Sequence, residues 1–322
     1  MLRPKRRIQK EPRGVKQKKL KASSSSSLPP PSSSLPSSPS LPLSPPPPWV
    51  ELPLDITANI LQRLRTIEIL ENAQRVCTAW WKASHDPTVW RVIDLRNHDV
   101  DAKTPRMLEN MCRIAVDRSQ GQLLKINIEN FGSRDLLNYI AERSSQLRYL
   151  RFVKCYYILD GCLAAAVKNF PLLEELHIYF SDINKDHIEV IGHSCPQLKS
   201  FTLNARGFRG YQYDDEALAV ARSMPELRHL SLFGNVLTNE GLRAILHGCP
   251  HLQSLDLRHC YNIKLKRDLR RRCRQQIVHL KHPRDSTYGY EFDAQICDYS
   301  PPVGDFPWSF DDHFNEFELE WW

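Results

Sequence analysis

The sequence predicts an α/β fold in which a small helical bundle precedes an array of strand–helix repeats. Three observations support this prediction. The motif L-x-x-L-x-L recurs about every 25 residues through the middle of the 322-residue chain. Segments of helical period separate the copies of this motif. The segment before them, residues 49–89, carries apolar residues at helical spacing on two stripes.

The repeat motif occurs in seven clear copies and one decayed copy. The intervals between the last five clear copies are 26, 25, 29 and 25 residues. Because alternate residues of a strand point to opposite faces, the leucine positions of each motif are predicted to face the core. The clear copies begin at Trp90, Leu123, Leu147, Leu173, Leu198, Leu227 and Leu252, and the decayed copy begins at Ile277.

The segments between the motifs are predicted to be helices with defined ends. Each ends before a proline, because proline cannot continue a helix and restricts the residue before it. We interpret Cys195 and Cys249, which precede two of these prolines, as small buried side chains and not as nucleophiles. Residues that can cap a helix open the segments: Asp160, Asp186, Asp214 and Asn239. The closing prolines are Pro171, Pro196, Pro225 and Pro250.

The repeat pattern resembles leucine-rich repeats of the cysteine-containing type over residues 90–282, and the short array resembles short plant members of that family. The resemblance implies a curved solenoid with a parallel sheet on its concave face and helices outside. We expect a protein substrate, whose identity the sequence does not indicate, to bind this concave face. Alternation along the strands places these residues on it: Arg151, Val153, His177, Tyr179, Thr202, Asn204, His229, Ser231, Phe233, Asp256 and Arg258.

The segment before the repeats is similar to an F-box. The similarity is carried by Leu52-Pro53, by Ile60-Leu61 with Leu64, by Val76-Cys77 with Trp80, and by Asp86-Pro87 with Trp90. F-boxes bind the Skp-type adaptor of cullin–RING ubiquitin ligases. The resemblance therefore implies that eight residues contact that adaptor or pack the bundle that presents the contacts. These are Leu52, Pro53, Ile56, Ile60, Leu61, Leu64, Val76 and Trp80, and the sequence does not divide the two roles.

The two ends of the chain are predicted to be tails of opposite charge. Residues 1–48 contain ten basic residues and one acidic residue, and residues 22–48 hold 12 serines and 10 prolines. Such a composition cannot bury enough apolar surface to offset the entropy of ordering the chain, so we interpret 1–48 as disordered. Its basic clusters, residues 5–7 and 16–21, indicate a nuclear-import signal or a solvated tail, which predicts a location in the nucleus, the cytoplasm or both. An organelle transit peptide is a third alternative, which the proline tract disfavours because it would break an amphipathic helix.

The C-terminal segment, residues 283–322, combines acids with aromatic side chains. It contains one basic residue and ten acidic residues. We predict that it is disordered. Acids and aromatics alternate in residues 305–312 and 314–322, and this alternation is typical of segments that fold onto a basic partner. The basic run of residues 264–274 is one internal candidate for such a partner, and the alternative is a tail that contacts nothing.

Other functional classes find little support in the sequence. The motifs that cradle phosphate, bind a dinucleotide, hold catalytic zinc or raise a nucleophile are absent, so we predict no enzyme and no cofactor. The nine cysteines form no CxxC, and the pairs His187/His193 and His247/His251 do not make a ligand face, so no metal is predicted. No apolar run approaches the roughly 18 to 20 residues that span a bilayer, which argues against a membrane protein.

Nucleic-acid binding is a further class with weak support. Residues 207–210 match a GxxG clamp, but they lack the flanking helices that such a clamp needs, and we interpret them as a loop insertion. The net charge of +7 gives no basic surface, because the middle of the chain spreads its excess over 234 residues. Nucleic acid is therefore an unlikely partner.

The predicted function is that of a non-catalytic substrate-recognition subunit of a Skp–cullin–F-box ubiquitin ligase. The F-box would bind the Skp-type adaptor, and through it cullin, while the repeats capture a protein substrate. The alternative is a leucine-rich-repeat scaffold or regulator of another protein without ubiquitin chemistry. Binding to the adaptor separates the two, because the scaffold does not require that partner.

Overall fold

The computed structural model describes residues 51–96, 103–156, 161–181, 183–208, 212–292, 294 and 296–297. All of these residues belong to one unit of the chain, Pro46–Trp322. The predictions of a disordered segment 1–48 and of a nuclear-import signal fall outside the described residues and stay predictions. The same holds for the acidic and aromatic residues from 298 to 322.

The predicted helical bundle forms at the start of the described chain. Helix α1 packs against α3, and the buried face of this small module is built from Leu61, Ile69, Leu70 and Ala83. The helices are α1 (Leu54–Leu61), α2 (Thr66–Glu71) and α3 (Thr78–Ala83), with 3-10 turns at Ala73–Arg75 and Pro87–Trp90. The Asp86 carboxylate opens the second turn by accepting a hydrogen bond of 2.8 Å from the backbone N–H of Thr88.

Eight parallel strands of the described chain form one sheet, and each repeat adds one strand to it. The strands are β1 (Val92–Leu95), β2 (Lys125–Glu129), β3 (Tyr149–Val153), β4 (Glu175–Tyr179) and β5 (Ser200–Asn204). After the short strand β6 (Gly207–Phe208), the sheet continues with β7 (His229–Ser231), β8 (Ser254–Asp256) and β9 (His279–Lys281). The order in the sheet follows the order in the chain, and β6 pairs separately, in parallel, with β10 (Ile296–Cys297). The decayed eighth motif therefore forms a strand, as its spacing predicts.

The register of the sheet stacks the motif positions of successive repeats. Leu150 pairs with Leu176, which pairs with Phe201, and the row continues through Leu230 and Leu255. All five side chains are buried. Because a one-residue slip would turn every one of them outward, this apolar row fixes the register. The predicted core positions of the repeats are confirmed.

Helices pack against the face of the sheet that carries the buried apolar row. They are α4 (Pro105–Ser119), α5 (Arg134–Arg143), α6 (Cys162–Ala166), α7 (Lys185–Ser194), α8 (Asp215–Ser223), α9 (Asn239–Gly248) and α10 (Arg267–Gln276), with a 3-10 turn at Val167–Asn169. Helices of adjacent repeats pack against each other, α7 on α8 and α8 on α9. The four helical segments predicted to end before a proline do so, with Phe170, Cys195, Met224 and Cys249 as their C-terminal caps.

Helix starts differ from the prediction. Asn184, and not Asp186, caps α7, because the backbone of Asn184 is extended and its amide oxygen reaches the N–H of His187 at 3.1 Å. Thr238, and not Asn239, caps α9 in the same way, through the N–H of Glu240 at 3.1 Å. The predicted residues are already inside their helices, and Asp160 lies outside the described residues.

Asp214 precedes α8 as predicted, but its carboxylate serves the next repeat. Its Oδ1 atom accepts hydrogen bonds from the backbone N–H groups of Thr238, at 2.7 Å, and Gly241, at 3.1 Å. Its Oδ2 atom accepts a bond of 2.6 Å from the Thr238 hydroxyl. A capping residue of one repeat therefore satisfies the free donors at the start of the following helix, which ties α9 to α8.

Glu216, in the first turn of α8, is a buried carboxyl whose titration should control stability. Burial raises its pKa from the ordinary 4.5 to about 7, and the neighbouring Asp215 and Asp214 add to the shift. The folded protein therefore keeps a proton that the unfolded chain releases between pH 4.5 and 7. This contribution to stability is full below pH 4.5 and is lost as the pH rises towards 7.

We expect Glu216→Gln to remove this pH dependence. At pH 8 the variant should be more stable than the wild type by about 2 kcal/mol, and at pH 5 the difference should be close to zero. Urea unfolding at both pH values measures the two differences. Glu226→Gln, at an exposed position after α8, controls for the loss of one negative charge. Equal effects of Glu216→Gln on stability at the two pH values would contradict a raised pKa of the Glu216 carboxyl.

Candidate functional site

The helical module leaves large apolar side chains in solvent. Leu54, Ile56, Ile60, Val76 and Trp81 are between 36 and 53% exposed. Ile56 and Ile60 are one turn apart on α1, so they share a face of that helix. Single exposed apolar residues are common on proteins, but five of them within a module of this size make the module a candidate interaction site. We call these five residues the exposed apolar surface of the module.

The structure divides the eight residues that the sequence nominated for adaptor binding. Leu61 is fully buried and packs the module, so it offers no surface to a partner. Leu52, Leu64 and Trp80 are half-buried, and the last two pack against the core. The exposed members are Pro53, Ile56, Ile60 and Val76.

Two members of the exposed apolar surface, Leu54 and Trp81, were missed by sequence reasoning. The sequence predicts one apolar stripe through Ile69, Val76 and Trp80, on a single helix or a closely joined helix pair, which favours Trp80 over its neighbour. The 3-10 turn at Ala73–Arg75 separates α2 from α3, so the period does not continue from one helix to the next. Trp81 is 51% exposed, and its indole lies near the His85 ring, with centroids 4.3 Å apart and ring planes tilted by 41°.

The strand register brings the predicted concave residues together in two rows. Arg151 pairs with His177, and the row continues through Thr202, Ser231 and Asp256. The second row is formed by Val153, Tyr179 and Asn204. Phe233 and Arg258 follow their strands, and His229 lies at the start of β7 with its side chain exposed. Whether a substrate contacts these residues stays a prediction.

Many of these side chains are buried, which their predicted role did not anticipate. Val153, Thr202, Asn204, Phe233 and Arg258 are all buried, and Arg151 is only 4% exposed. A one-layer sheet leaves its concave face open to water unless another part of the chain covers it. The cover is residues 284–292, which return over the sheet and which we call the C-terminal strap.

The strap crosses from β8 towards β3 through specific contacts. The guanidinium of Arg258 donates to the Ser286 carbonyl at 3.1 Å, and the Tyr290 ring stacks on Phe233 with centroids 3.9 Å apart. The Asn204 amide donates to the Tyr290 hydroxyl at 3.2 Å. Further along, Glu291 accepts a hydrogen bond of 2.7 Å from Arg151, and the Phe292 ring lies 5.0 Å from that of Tyr179.

The prediction of disorder from residue 283 onward does not hold for the strap. The strap packs on the concave face. The predicted docking of residues 305–322 on the basic run of residues 264–274 falls outside the described residues and stays a prediction. Four arginines of that run are exposed on α10: Arg270, Arg271, Arg272 and Arg274. The rings and charges that hold the strap come from five different repeats. They form one surface only after the repeats stack, which composition alone does not reveal.

Comparison with known proteins places the chain in a family. The F-box-like family model matches residues 49–96, and the Leucine Rich repeat model matches residues 224–246 and 248–263. "F-box protein SKIP19" of Arabidopsis thaliana is 47% identical over 241 residues, which cover 74% of this chain and 78% of that protein. The chain belongs to the F-box/LRR-repeat proteins.

A second relative carries the same family name. "Putative F-box/LRR-repeat protein 23" of Arabidopsis thaliana is 50% identical over 241 residues, 74% of this chain, and the chain spans only 54% of that protein. Among solved structures, a chain of the yeast Rad7 and Elc1 complex covers 67% of this chain and is itself covered to 64%. That likeness is weak, with a TM-score of 0.36 and 14% identity, and it adds nothing to the assignment.

Charged pairs hold the concave face of this F-box/LRR-repeat protein. The Arg258 guanidinium binds the Asp256 carboxylate through two atoms, at 3.0 Å and 2.7 Å, and lies 5.4 Å from the Phe233 ring. Tyr149 lies at the N-terminal end of β3, where burial raises the pKa of its phenol to about 12. Burial also raises the pKa of the Tyr290 phenol above its ordinary value. Both phenols therefore stay protonated to a higher pH than an exposed tyrosine would.

Two cysteines of the repeats lie in the core, as their sequence context predicts. Burial raises the pKa of the Cys195 and Cys249 thiols to about 12, so neither is the thiolate that a nucleophile requires. In the described part of the chain, no three His, Cys, Asp or Glu side chains come together to hold a metal ion. Over the same residues no helix has the length and apolarity needed to cross a bilayer.

The GxxG sequence has a structural use in the repeats. Gly207 and Phe208 form strand β6, which pairs with Ile296–Cys297 beyond the strap, while Arg209 and Gly210 lie outside the described residues. The 29-residue interval between Leu198 and Leu227 accommodates this additional strand. The insertion therefore contains a short strand, and this strand pairs with the chain that returns after the strap.

Proposed function

We propose that this chain is the substrate-recognition subunit of a Skp–cullin–F-box ubiquitin ligase. The observation that carries the proposal is the exposed apolar surface of the F-box module, in a chain of the F-box/LRR-repeat family. A partner that covers this surface removes apolar area from water at roughly 25 cal/mol for each Å². Trp81 is a strong candidate for a central contact, because tryptophan is enriched among the residues that dominate binding energies.

The F-box module is joined to the repeats through a shared core. Trp90 ends the module and is fully buried, and Ile93 of β1, three residues later, is buried in the same cluster. The indole N–H of Trp90 donates to the Ser84 carbonyl at 2.8 Å. This joint would hold a substrate on the repeats at a fixed position relative to the adaptor.

The mechanism of such a receptor is proximity. A substrate lysine held near the ubiquitin-charged enzyme has a high effective concentration, so transfer accelerates although the receptor contributes no chemical group. This function requires two binding surfaces and a rigid connection between them. In this proposal the exposed apolar surface of the module, the concave face and the Trp90 joint serve as these three parts.

Adaptor binding by the full chain tests the proposal. We expect the wild type to bind a purified plant Skp-type adaptor, and Ile56→Asp/Ile60→Asp to lose at least tenfold in affinity, because a carboxylate must be desolvated in an apolar interface. Calorimetric titration measures both affinities. Ile114→Asp, on α4 outside the module, is the matched control, since Ile114 is 44% exposed and Ile56 is 47% exposed.

The outcomes separate the two functions that the sequence allows. Adaptor binding that survives in Ile114→Asp and is lost in Ile56→Asp/Ile60→Asp supports the ligase subunit. A folded wild type that does not bind the adaptor would contradict the proposal and favour a leucine-rich-repeat scaffold. Circular dichroism of each variant verifies that the loss of binding is not a loss of folding.

A further inference from the structure

The strap presents three consecutive side chains to the concave face. Tyr290 stacks on Phe233, with ring planes 6° apart and ring centroids 3.9 Å apart. Glu291 pairs with Arg151, and Phe292 packs against Tyr179 and, edge-on at 5.2 Å, against Phe180. The face therefore receives an aromatic side chain, a carboxylate and a second aromatic side chain in sequence.

Arg151 is built to receive a carboxylate. Its guanidinium lies 4.9 Å from the Tyr179 ring and 5.5 Å from the Phe292 ring, so it is enclosed by aromatic faces. Its Nη2 atom binds Glu291, while its buried Nη1 atom has no hydrogen-bond partner among the described residues. A guanidinium can bind a carboxylate through two parallel hydrogen bonds, and the strap uses only part of this capacity.

The strap is held at few points along its length. Between Ser286 and Tyr290 it forms a turn, in which the N–H of Tyr290 donates to the Thr287 carbonyl at 2.9 Å. Tyr288 in this turn is exposed, and a Cβ at Gly289 would meet nothing within 4 Å. Glu291 itself remains exposed on its outer side. The hold on the concave face therefore depends on residues 290–292, on the hydrogen bond from Arg258 to the Ser286 carbonyl, and on the pairing of β10 with β6.

We propose that the concave face of the repeats is a binding site for a peptide segment of the form aromatic–acidic–aromatic in a partner protein. Tyr290-Glu291-Phe292 of the strap is the internal occupant of this site, and the partner's segment displaces it. If the proposed function is correct, this segment is the feature by which a substrate is selected, so that part of the inference rests on the proposed function.

A peptide fits this face better than a nucleic acid does. The site accepts a carboxylate and two aromatic rings from the protein's own chain. Just beyond these residues, the same chain pairs its backbone with β6, and a nucleic acid cannot form this pairing. Asp256 beside Arg258 lowers the positive charge that a phosphate backbone would need.

The test measures binding of a synthetic peptide to the full chain. The probe is fluorescein-labelled Ser-Thr-Tyr-Gly-Tyr-Glu-Phe, the sequence of residues 286–292, and the readout is fluorescence anisotropy. The wild type should bind it weakly, because the tethered strap competes at a high effective concentration. We expect Tyr290→Ala/Phe292→Ala in the chain to bind the peptide at least tenfold more tightly.

Two further substitutions identify the site. Arg151→Ala, added to Tyr290→Ala/Phe292→Ala, should weaken peptide binding at least tenfold. A peptide with lysine in place of the glutamate should bind Tyr290→Ala/Phe292→Ala no more tightly than the glutamate peptide binds the variant that also carries Arg151→Ala. Arg271→Ala in the same background is the matched control, since Arg271 is exposed on α10 away from the strap. Should the double variant unfold, Glu291→Gln in the full chain replaces it, with an expected gain of about threefold.

Each outcome decides the proposal. Equal binding to wild type and strap variants, indifference to Arg151→Ala, or equal competition by a single-stranded oligonucleotide would overturn it. Adaptor binding measured on the same samples tests the proposed function independently. A chain that binds the adaptor but no peptide defeats this inference alone. A chain that binds the peptide but no adaptor defeats the ligase function and leaves the peptide site in place.

Discussion

Trp90→Ala is expected to lower the free energy of unfolding by about 3–5 kcal/mol, the usual cost of truncating a fully buried tryptophan. The side chain is completely buried where the F-box module meets the first strand. The substitution leaves a cavity, and the Ser84 carbonyl, which is bonded to the indole N–H, loses its partner. The Arg118 guanidinium, 5.4 Å from the ring centroid, loses its aromatic contact as well.

Trp81→Ala provides the matched control for this prediction. Trp81 lies nine residues earlier and is 51% exposed, so its removal should cost less than about 1 kcal/mol. Urea unfolding of the full chain, followed by circular dichroism, measures both variants. If both substitutions cost the same, then Trp90 does not join the module to the repeats. Under the proposed function the order reverses for adaptor binding, because Trp81 belongs to the exposed apolar surface.

Gly248→Ala is expected to destabilise the protein by about 3 kcal/mol. Gly248 is the last residue of α9, and a Cβ placed there would overlap the backbone carbonyl oxygen of Ala221 in α8. A backbone atom cannot move aside as a side chain can, so α9 would have to shift away from α8. Such a shift disturbs packing at native density, and overpacking of this kind typically costs 1–3 kcal/mol, occasionally more.

The sign of the Gly248 effect distinguishes local from tertiary causes. Helix propensity alone predicts that alanine stabilises a helix by about 0.5–1 kcal/mol relative to glycine. Gly289→Ala serves as a control without crowding, because nothing lies within 4 Å of the new Cβ. Its positive φ of 74° should cost about 1 kcal/mol through strain of the L-residue. A more stable Gly248→Ala protein would show that the close approach of the two helices is absent.

The repeats could be predicted in detail because their signals are local. Alternation of leucines places Leu230 in the core whatever its neighbours are, and a proline such as Pro250 ends a helix by its own chemistry. Even the weak motif at Ile277 and Leu280 was sufficient to indicate β9. Helix starts were less predictable. A cap such as Asn184 is chosen by backbone angles, which several nearby polar residues could satisfy equally well.

The F-box module shows where a periodic pattern reaches its limit. Its helices and its family could be identified from Leu52-Pro53 and the later apolar pairs. The pattern could not say that Leu61 is buried while Trp81 is exposed, since both lie on short helices whose relative rotation is set by the turn at Ala73–Arg75. The packing of three helices decides which side of each faces water.

The sequence by itself determined the repeat architecture, the order of its strands and the membership of the family, because each depends on residues near one another in the chain. Only the tertiary structure decided what covers the concave face. Arg151 and Glu291 are 140 residues apart, and Phe233 meets Tyr290 only after the intervening repeats have stacked. An acidic aromatic segment looks the same in a free tail and in a strap, and the difference lies in a surface that folding must first create.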